Sequence, residues 1–471
     1  MAAVGITLQP EDAFLDLMGG VLREDADYFE VAPETLWAVG DDGRFRPNRY
    51  RARFLALGDE TQRPFVAHGV GMSLGNAAPG DAPRRRRWLR QVAIEQRRFG
   101  FQWYSDHLGP TTVAGEAVTS PMPMPMTASS AALVRAQLAA MQRVVPDVGF
   151  ENSVTYFLFG RFADEPAFFD RILGPAGIHL VLDLHNVHTM ARNLGGDPDA
   201  YLAAIDPRRV IEIHLSGGNE SQPGWLPGGR TVRLDSHDSA VPEEVWRLFA
   251  AIAPRCPGLR GVTLERMEGT VRAGDAPLIR EELRRARKVL AGKKSHAPSV
   301  PPSRPPPRIT RSRAARRELA AHVATERALA AAMRAPDPVA RLVPRIARAS
   351  GRRSVSTAQR DGIRTNALLV ATIRFQRLVR WSLKSKSWFL ADTPAFVAAF
   401  RRYHRAVPMT AHFPREEARL FRAWLARQPS MMARQPRPQP QLAASPPARS
   451  AVASATSGAP ATRRARHRRR R

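Results

Sequence analysis

The chain has 471 residues and a formal net charge of +29, from 72 lysines and arginines against 43 aspartates and glutamates. The charge is uneven, because residues 1–292 carry 33 basic and 36 acidic side chains and residues 293–471 carry 39 and 7. The single cysteine, Cys256, excludes an intramolecular disulfide framework, a thiolate zinc site and an iron–sulfur cluster held by this chain alone. No apolar run approaches the roughly 20 residues of a membrane span, and the N-terminus lacks a secretory pattern, so we expect a cytoplasmic protein without a membrane partner.

The first 292 residues alternate β-rich runs with amphipathic helical runs. The predicted strands are Asp27–Ala32, Pro64–Val70, Phe101–His107, Val148–Ser153, His179–Asn186, Val210–Ser216, Thr231–Asp235 and Gly261–Arg266. Helical segments such as Arg84–Phe99, Ser130–Val145 and Glu243–Ile252 separate most of them. Eight strands alternating with helices predict a (β/α)8 TIM barrel over residues 1–292, with an open doubly wound sheet as the alternative.

The second half divides into three parts. Residues 293–311 form a Pro-rich basic linker. Residues 312–427 return to helical spacing, which predicts a small α-helical domain, and place Leu420, Phe421 and Trp424 on one helix face. Residues 428–471 are mostly Pro, Ala, Ser and Arg and predict a disordered basic tail, which should bind nucleic acid or other polyanions without specificity.

Polar side chains gather at the ends of the predicted strands. They are His68, His107, Glu151, Asp183, His185, Asn186, His214, Asp235, His237 and Glu265. In a (β/α)8 barrel the carboxyl ends of the strands meet at one mouth, and so many carboxylates there would repel one another without cations between them. The set therefore predicts a metal cluster, and up to nine ligands fit two or three ions better than one. Imidazoles and carboxylates without a thiolate suit iron, manganese or zinc.

Alternation along a strand tests this arrangement. Asp235 and His237 lie two residues apart and can point inward from one strand, as can Asp183 and His185. Asn186 would face outward unless the strand has already turned into its loop, so either His185 or Asn186 can complete that position.

Each residue also has a structural explanation when taken alone. A histidine on a strand is usually a hydrogen-bonded core residue, and Glu151 or Glu265 can be the buried partner of an arginine. We interpret four further features as structural: His179, His188, Cys256 and the methionine-rich run Met122–Met126.

Nine segments, in order and spacing, resemble one known family. They are HGVGMSLG, SDHLG, SPMPMPMT, FENS, LDLHNV, NLGGDPDAYL, EIHLSGG, DSHDSAVPEEVW and TLERM. They are similar to the multinuclear non-heme iron-dependent oxidative enzymes, which are TIM barrels related to the iron enzyme of methanobactin biosynthesis. The resemblance covers about residues 5–290. It implies a xylose-isomerase-like barrel with two or three iron ions, and molecular oxygen as co-substrate for modifying a ribosomally made peptide, usually at cysteine, with a partner that recruits the peptide.

Carried over position by position, the resemblance implies nine metal ligands. These are His68, His107, Glu151, Asp183, Asn186, His214, Asp235, His237 and Glu265. It favours Asn186 where alternation favours His185. Two positions depart from the family pattern: many relatives read EIHLAGH, where this chain has Gly218, and many read SEHL, where it has Asp106. Either departure can alter substrate contacts or the surroundings of the ligands.

Three hypotheses for function follow. The first is an iron-dependent oxidative enzyme of natural product biosynthesis that modifies a Cys-containing precursor peptide. The second is a zinc- or manganese-dependent sugar isomerase or phosphodiester hydrolase on the same type of barrel. The third is a non-enzymatic polyanion binder acting through the basic half. Under the first hypothesis, the helical domain is either a fused recruiter, which the linker keeps close to the barrel, or an unrelated appendage.

Overall fold

The computed structural model describes residues 2–292, 312–351 and 354–428. The strands are β1 (Ala3–Thr7), β2 (Phe29–Val31), β3 (Trp37–Val39), β4 (Phe45–Pro47), β5 (Phe65–Gly69), β6 (Tyr104–His107), β7 (Thr112–Val113), β8 (Glu116–Ala117), β9 (Val148–Glu151), β10 (Ile178–Asp183), β11 (Val210–Leu215) and β12 (Gly261–Leu264). Strands β3–β4 and β7–β8 are short antiparallel pairs. The other eight close a parallel barrel in the order β1-β2-β5-β6-β9-β10-β11-β12, which confirms the predicted TIM barrel and excludes the open sheet.

Within residues 2–292, nine α-helices lie between or after the barrel strands. They are α1 (Asp12–Glu24), α2 (Arg49–Thr61), α3 (Ala82–Phe99), α4 (Ala128–Met141), α5 (Glu165–Ile172), α6 (Leu184–Leu194), α7 (Pro198–Ala204), α8 (Glu243–Ile252) and α9 (Ala276–Ala291). Helix α6 begins directly after β10, because the side chain of Asp183 caps it by accepting a hydrogen bond from Asn186 N at 2.7 Å. The last residue of a strand and the first turn of a helix are thereby held together at the barrel mouth.

The structure differs from the predicted strands at two places. Ala3–Thr7, which the sequence analysis missed, is the barrel strand β1 and pairs with both β12 and β2. The predicted strand Thr231–Asp235 is not in the barrel, because β11 pairs directly with β12. Its backbone bonds instead to a neighbouring part of the same loop, where Leu234 N donates to Asn219 O at 2.8 Å. The alternating pattern of this segment therefore reflects pairing within one long loop.

The described residues after the barrel are helical, as predicted. The helices are α10 (Arg313–Met333), α11 (Pro338–Ser350), α12 (Thr357–Trp381), α13 (Leu383–Ala391), α14 (Thr393–Ala406) and α15 (Pro414–Leu425). None of the described helices is long and apolar enough to cross a membrane. The predicted linker, residues 293–311, and residues 429–471 of the predicted tail lie outside the described residues, so the predictions of disorder and polyanion binding stay predictions.

The helical region 312–428 packs directly on loops that follow barrel strands. Apolar side chains of α10, α11 and α12, such as Leu329, Leu342 and Ile363, share a buried cluster with Met122 and Phe157 of those loops. Barrel and helices belong to one compact unit, Met1–Pro436. The helical region is therefore joined to the barrel by a common apolar core, and not only by the chain between them.

Polar contacts reinforce this packing. Glu326 of α10 accepts hydrogen bonds from the backbone N–H groups of Ala77 and Ala114, which lie in loops after β5 and β6. The guanidinium of Arg334 bonds both oxygens of Glu116 in β8, at 2.8 and 2.9 Å. These loops follow the carboxyl ends of strands, so the helical region lies on the same side of the barrel as the predicted site.

We predict that the titration of His404 lowers the free energy of unfolding as the pH falls from 7 to 5. Its Nε2 lies 3.0 Å from the carbonyl oxygen of Met333, and burial, aided by Arg374, lowers its pKa to about 4. An unfolded histidine has a pKa of about 6.5. Between pH 6.5 and 4, the unfolded chain therefore binds a proton at this position that the folded chain does not bind. The neutral ring therefore stabilises the fold at neutral pH, and about 2 kcal/mol of this contribution is lost between pH 7 and pH 5.

Denaturant unfolding of the native sequence and of His404→Gln, measured at both pH values, isolates this effect. Glutamine keeps a donor for Met333 O but does not titrate, so the variant should lose about 2 kcal/mol less than the native protein over that range. Equal losses in the two proteins would contradict the prediction.

Candidate metal centre

Six barrel strands end with a candidate ligand in their last residues or directly after them. These are His68 on β5, His107 on β6, Glu151 on β9, Asp183 on β10, His214 on β11 and Glu265 after β12. Five of the six side chains are buried and His107 is half-buried. The barrel closure thus brings the six predicted strand-end residues to one mouth.

The first group contains His68, His107 and Glu151. The Oε2 atom of Glu151 lies 3.2 Å from His107 Nε2 and 3.7 Å from His68 Nε2. On the far side of each ring, His68 Nδ1 lies 2.8 Å from Ser105 Oγ, and His107 Nδ1 lies 3.2 Å from the carbonyl oxygen of Gly69. These contacts orient both rings so that their Nε2 atoms face Glu151, which is how proteins position histidines that bind metals.

The second group lies around the other oxygen of Glu151. His214 Nδ1 is 3.2 Å from Glu151 Oε1 and 3.5 Å from Glu265 Oε1. Asp183 belongs here too, because one ligand atom from each of these four residues lies within 4.8 Å of the others. Since its two oxygens face different groups, Glu151 has the position needed to bridge two metal ions.

Glu30, which the sequence analysis missed, stands behind His214. Its Oε2 lies 3.1 Å from His214 Nε2, and Thr7 Oγ1 donates to its Oε1 at 2.8 Å. A carboxylate beside Nε2 favours a proton on that nitrogen and leaves Nδ1 available for a metal. The only sequence signal was a lone carboxylate within the apolar run YFEVA, which the strand-end argument did not consider because β2 had no other polar residue.

Asp235 and His237 reach the mouth from the loop between β11 and α8, and not from a strand as predicted. His237 Nε2 lies 2.7 Å from Asp235 Oδ1 and 3.9 Å from Glu265 Oε2. The backbone of His237 has φ of 49°, a left-handed conformation that residues other than glycine rarely adopt. Strained residues of this kind persist where the surrounding structure fixes them, often at functional sites.

The structure places both His185 and Asn186 at the mouth, in the first turn of α6 and therefore beyond the reach of strand alternation. His185 Nδ1 lies 3.1 Å from Asp235 Oδ1 and is engaged there. Asn186 Nδ2 donates to Asn152 O at 3.2 Å, while its Oδ1 is buried without a hydrogen-bond partner among the described residues. Asn186 Oδ1 is thus better placed than the His185 ring to bind a metal ion.

The two departures from the family pattern have distinct surroundings. A Cβ atom on Gly218 would overlap the carbonyl oxygen of Leu234 and lie 3.0 Å from Cε1 of His185, so this loop has no room for the histidine of many relatives. Asp106 is buried and accepts a hydrogen bond from Met72 N at 3.0 Å. Its role in this structure is to hold the loop after β5.

Three of the features interpreted as structural lie outside these two groups. His179 Nε2 lies 3.2 Å from Asp147 Oδ1 at the start of β10, the opposite end of the barrel from the mouth. His188 is half-buried on α6, and burial lowers its pKa to about 4. Cys256 is buried, with Sγ 3.4 Å from Ile252 O.

Burial and crowding shift the pKa values of the cluster strongly. Burial raises the pKa of Asp183 well above its usual range, and Glu151 and Glu265 raise it further. Burial opposes a charge on His237, but Asp235 and Glu265 outweigh it and raise the pKa of His237 to about 10. In the same way, Glu265 and Glu30 raise the pKa of His214 well above its ordinary value against the effect of burial. Their repulsion is relieved either by proton uptake or by positive charge among them.

Arginine does not supply that charge. The ion pairs of Glu151 and Glu265 within the described part of the chain are with histidines. The alternative in which arginines neutralise these two glutamates is therefore wrong for the described residues.

The donor atoms fit metal ions. Buried polar atoms without a hydrogen-bond partner among the described residues gather here: His68 Nε2, Glu151 Oε2, Asp183 Oδ2, Asn186 Oδ1 and Glu265 Oε2. Each such atom would cost about 1–3 kcal/mol if it stayed unpaired. Imidazole nitrogen and carboxylate or amide oxygen are the donors that iron, manganese and zinc accept, so the residues present fit a cluster of such ions.

The helical region contacts this centre through Tyr156, in the loop after β9. Asp235 N donates to the Tyr156 hydroxyl at 3.1 Å, and a Cβ on Gly362 of α12 would overlap the carbonyl oxygen of Tyr156. The neighbouring residue of α12, Asp361, accepts two hydrogen bonds from Arg230 at 2.6 and 3.0 Å, and Arg230 lies in the loop that carries Asp235. The start of α12 therefore fixes two loops of the centre at once.

Comparison with known proteins places this geometry in context. A family whose members are described as the RiPP precursor modification enzyme MbnB/TglH/ChrH matches residues 3–291. A UPF0276 protein of Caulobacter vibrioides (strain NA1000 / CB15N) is 33% identical over 255 residues, which are 53% of this chain and 82% of that relative. A UPF0276 protein of Pseudomonas aeruginosa (strain UCBPP-PA14) is 31% identical over 256 residues, 54% of this chain and 82% of that relative.

Solved structures similar to this chain include an endonuclease IV from Thermus thermophilus, at 18% identity and a TM-score of 0.35 over 61% of this chain and 99% of that one. Another is a xylose isomerase-like TIM barrel protein from Mycobacterium smegmatis in complex with magnesium, at 12% identity and a TM-score of 0.40 over 62% of this chain and 98% of that one.

We predict that Tyr156→Phe weakens metal binding without unfolding the protein. The variant keeps the ring but leaves Asp235 N without its acceptor, a loss of about 1 kcal/mol, and frees the backbone that carries Asp235. Residues that orient metal ligands typically contribute about 10- to 100-fold to metal affinity. We therefore expect the metal dissociation constant to rise about tenfold in the variant, and less metal to remain bound after dialysis.

Tyr50→Phe is the matched control, because the Tyr50 hydroxyl contacts only surface Arg49 among the described residues. It should leave metal affinity unchanged. If Tyr156→Phe binds metal as tightly as the control does, Tyr156 does not position Asp235.

Proposed function

Since this chain belongs to the family of RiPP precursor modification enzymes that includes MbnB, TglH and ChrH, we propose that it oxidatively modifies a ribosomally made precursor peptide at cysteine. We propose iron, as two or three ions, for its metal centre, and molecular oxygen as co-substrate. The observation that carries the proposal is the convergence of imidazole and carboxylate donors, several of them buried and unpartnered, at the barrel mouth. Iron bound there would supply the redox chemistry that activates oxygen and a position for the substrate thiolate.

Different residues would bind different ions of the proposed centre. His68, His107 and Glu151 would hold one ion, and Asp183, His214 and Glu265 a second, with Glu151 shared between them. Asn186, Asp235 and His237 complete the proposed set, because Asn186 Oδ1 is buried without a partner among the described residues and His237 Nε2 lies 3.9 Å from Glu265 Oε2. The nine side chains are thus the ligand set that we propose.

Other residues keep those ligands in place. Ser105 orients the ring of His68, and Glu30 stands behind that of His214. Tyr156 holds the backbone of Asp235. Mutation of such residues changes metal affinity, and they touch no substrate in this proposal.

The reacting thiolate must come from the substrate. The chain's single cysteine, Cys256, is fully buried beside Ile252 at the end of α8 and precedes β12, so it lies at the amino end of that strand, opposite the mouth. A peptide that brings its own cysteine to the mouth meets the open side of a centre whose protein donors are all nitrogen and oxygen.

We further propose that the helical region takes part in capturing the peptide. Its helices α10 and α12 lie on the loops after β5, β6, β9 and β11, which form the rim of the mouth. These helices therefore border the mouth that a peptide would enter. This position supports the recruiter hypothesis over that of an unrelated appendage.

The metal prediction is that protein purified without added metal contains more than one equivalent of iron, and that Glu151→Gln loses most of it. Glutamine keeps the size of the side chain but removes the charge shared by two groups. Metal analysis of the purified proteins gives the measurement. His179→Gln, which alters a histidine at the other end of β10, should keep the native metal content.

Two results would contradict this prediction. Unchanged iron in Glu151→Gln would mean that the ligands are misassigned. Stoichiometric zinc with full activity would favour the isomerase or hydrolase hypothesis, because zinc has no redox chemistry.

The reaction prediction is that a Cys-bearing precursor peptide encoded beside the gene changes mass only when oxygen and partly reduced iron are present. The same peptide with serine in place of cysteine should stay unmodified, because it lacks the thiolate. Mass spectrometry of the peptide after aerobic and strictly anaerobic incubation tests this. Turnover without oxygen, or on a free sugar, would refute the oxidative function.

A further inference from the structure

A groove lies where the helical region meets the β3–β4 hairpin, away from the metal ligands. Its volume is about 360 Å³, and its walls come from the hairpin at Val39–Asp41, the junction of α12 and α13 at Trp381–Lys384, and the face of α15 between Arg415 and Arg422. The hairpin belongs to the connection that follows β2, and Arg380 at the end of α12 lies 3.6 Å from Glu268 in the loop after β12. Both connections leave the carboxyl ends of strands, so the groove opens on the side of the barrel that carries the mouth.

Large apolar side chains are exposed along this groove and beside it. Trp381 is 61% exposed, Leu383 81% and Leu390 67%. Leu383 and Leu390 are seven residues apart on α13 and lie on one helix face, while Ser385 and Trp388 between them are buried. Most surface leucines stand alone, whereas three neighbouring apolar groups beside a cavity are typical of a binding surface.

The groove is also basic. Four exposed cations line it: Lys384, Arg415, Arg419 and Arg422, none of which has an ion-pair partner within the described ranges. Of its two acidic residues, Asp41 and Glu416, the second is committed to the backbone N–H groups of His412 and Phe413, at 2.9 and 3.0 Å. The electrostatic complement of this surface is an anionic partner.

The chain's own remaining segments do not match that requirement. Residues 293–311 and 429–471 contain lysines and arginines but no aspartate or glutamate. They would be repelled by Arg419 and Arg422 rather than attracted. The charge of the groove therefore selects a different molecule with acidic side chains.

We propose that this groove docks an acidic segment of the precursor peptide that carries apolar side chains about two helical turns apart. The proposal rests on the proposed function, because that function supplies the peptide. Trp381 and Leu383 would bury apolar groups of the segment, and the four cations would pair with its carboxylates. The docking segment is distinct from the cysteine that reaches the mouth.

Two synthetic peptides separate docking from simple charge attraction. The first is a fluorescein-labelled 20-residue peptide rich in glutamate with two leucines seven residues apart, and the second has serine in place of both leucines. The basic residues 429–471 attract both peptides equally, since that attraction depends only on charge. Fluorescence anisotropy with the full-length protein at physiological salt should show at least tenfold tighter binding of the leucine peptide.

Variants assign the difference to the groove. The double variant Trp381→Ser with Leu383→Ser changes exposed residues and should abolish the tenfold preference for the leucine peptide. Arg419→Glu with Arg422→Glu should weaken binding of the leucine peptide at least tenfold. The matched control is Arg316→Glu with Arg317→Glu, which makes the same charge change at exposed positions on α10 and should leave the preference unchanged.

Three outcomes would overturn the proposal. The first is equal binding of the two peptides to the native protein. The second is binding of a lysine version of the leucine peptide as tight as that of the glutamate peptide. The third is a self-association seen by sedimentation that Trp381→Ser abolishes, which would make the groove an interface between copies. The assay needs neither metal nor oxygen. Docking of the leucine peptide together with no modification of a Cys-bearing precursor peptide would thus refute the proposed function alone. Modification of the precursor peptide together with equal binding of the two synthetic peptides would refute the docking proposal alone.

Discussion

The crowding of buried carboxylates around His214 is the constraint on which the mouth of this barrel depends. Glu30, Glu151 and Glu265 all lie within 3.5 Å of its two ring nitrogens. Asp183 joins them with a strongly raised pKa, because burial and its neighbours disfavour its charge. Several carboxyl groups in a low-dielectric pocket are stable if they take up protons or have positive charge among them, and histidines are the ion-pair partners that the described residues provide. Metal ions at the same points would allow the carboxylates to ionise and the histidines to release their protons.

Loops and helices outside the barrel strands also position residues of this mouth. Asp235 and His237 come from a long loop, and a loop alone would not keep a strained residue such as His237 at φ of 49°. Contacts from Tyr156 and from Asp361 of α12 fix that loop from two sides. The helical region therefore contributes to the geometry of the centre as well as to the surface around it.

The sequence predicted the barrel and the positions of the strand-end candidate ligands because both follow from simple periodic rules. His68, His107, Glu151, Asp183 and His214 lie where the alternation of strands and helices places the mouth. The same rules failed for Asp235 and His237. They were assigned to a strand because the segment Thr231–Asp235 alternates as strands do. It alternates because it pairs with another part of its own loop. The rules also failed for Glu30, which stands in a three-residue strand with no polar neighbour to mark a strand end. Tertiary contacts such as Tyr156 with Gly362 left no pattern, because a glycine inside a helix indicates close approach without naming the partner.

The geometry of α12 relates the docking groove to the metal centre. Its Gly362 rests on the loop after β9, and Arg380, near its other end, reaches Glu268 in the loop after β12. These two strands lie three places apart in the eight-stranded ring, so the helix runs along the mouth from one side toward the other. The 18 residues between these points rise about 27 Å, a distance that about eight extended residues can span. Under the docking proposal, a peptide held at Trp381 would therefore need only a short segment to reach the loop after β9. The fixed position of the helical region, rather than a flexible tether, would then set the effective concentration of the cysteine at the mouth.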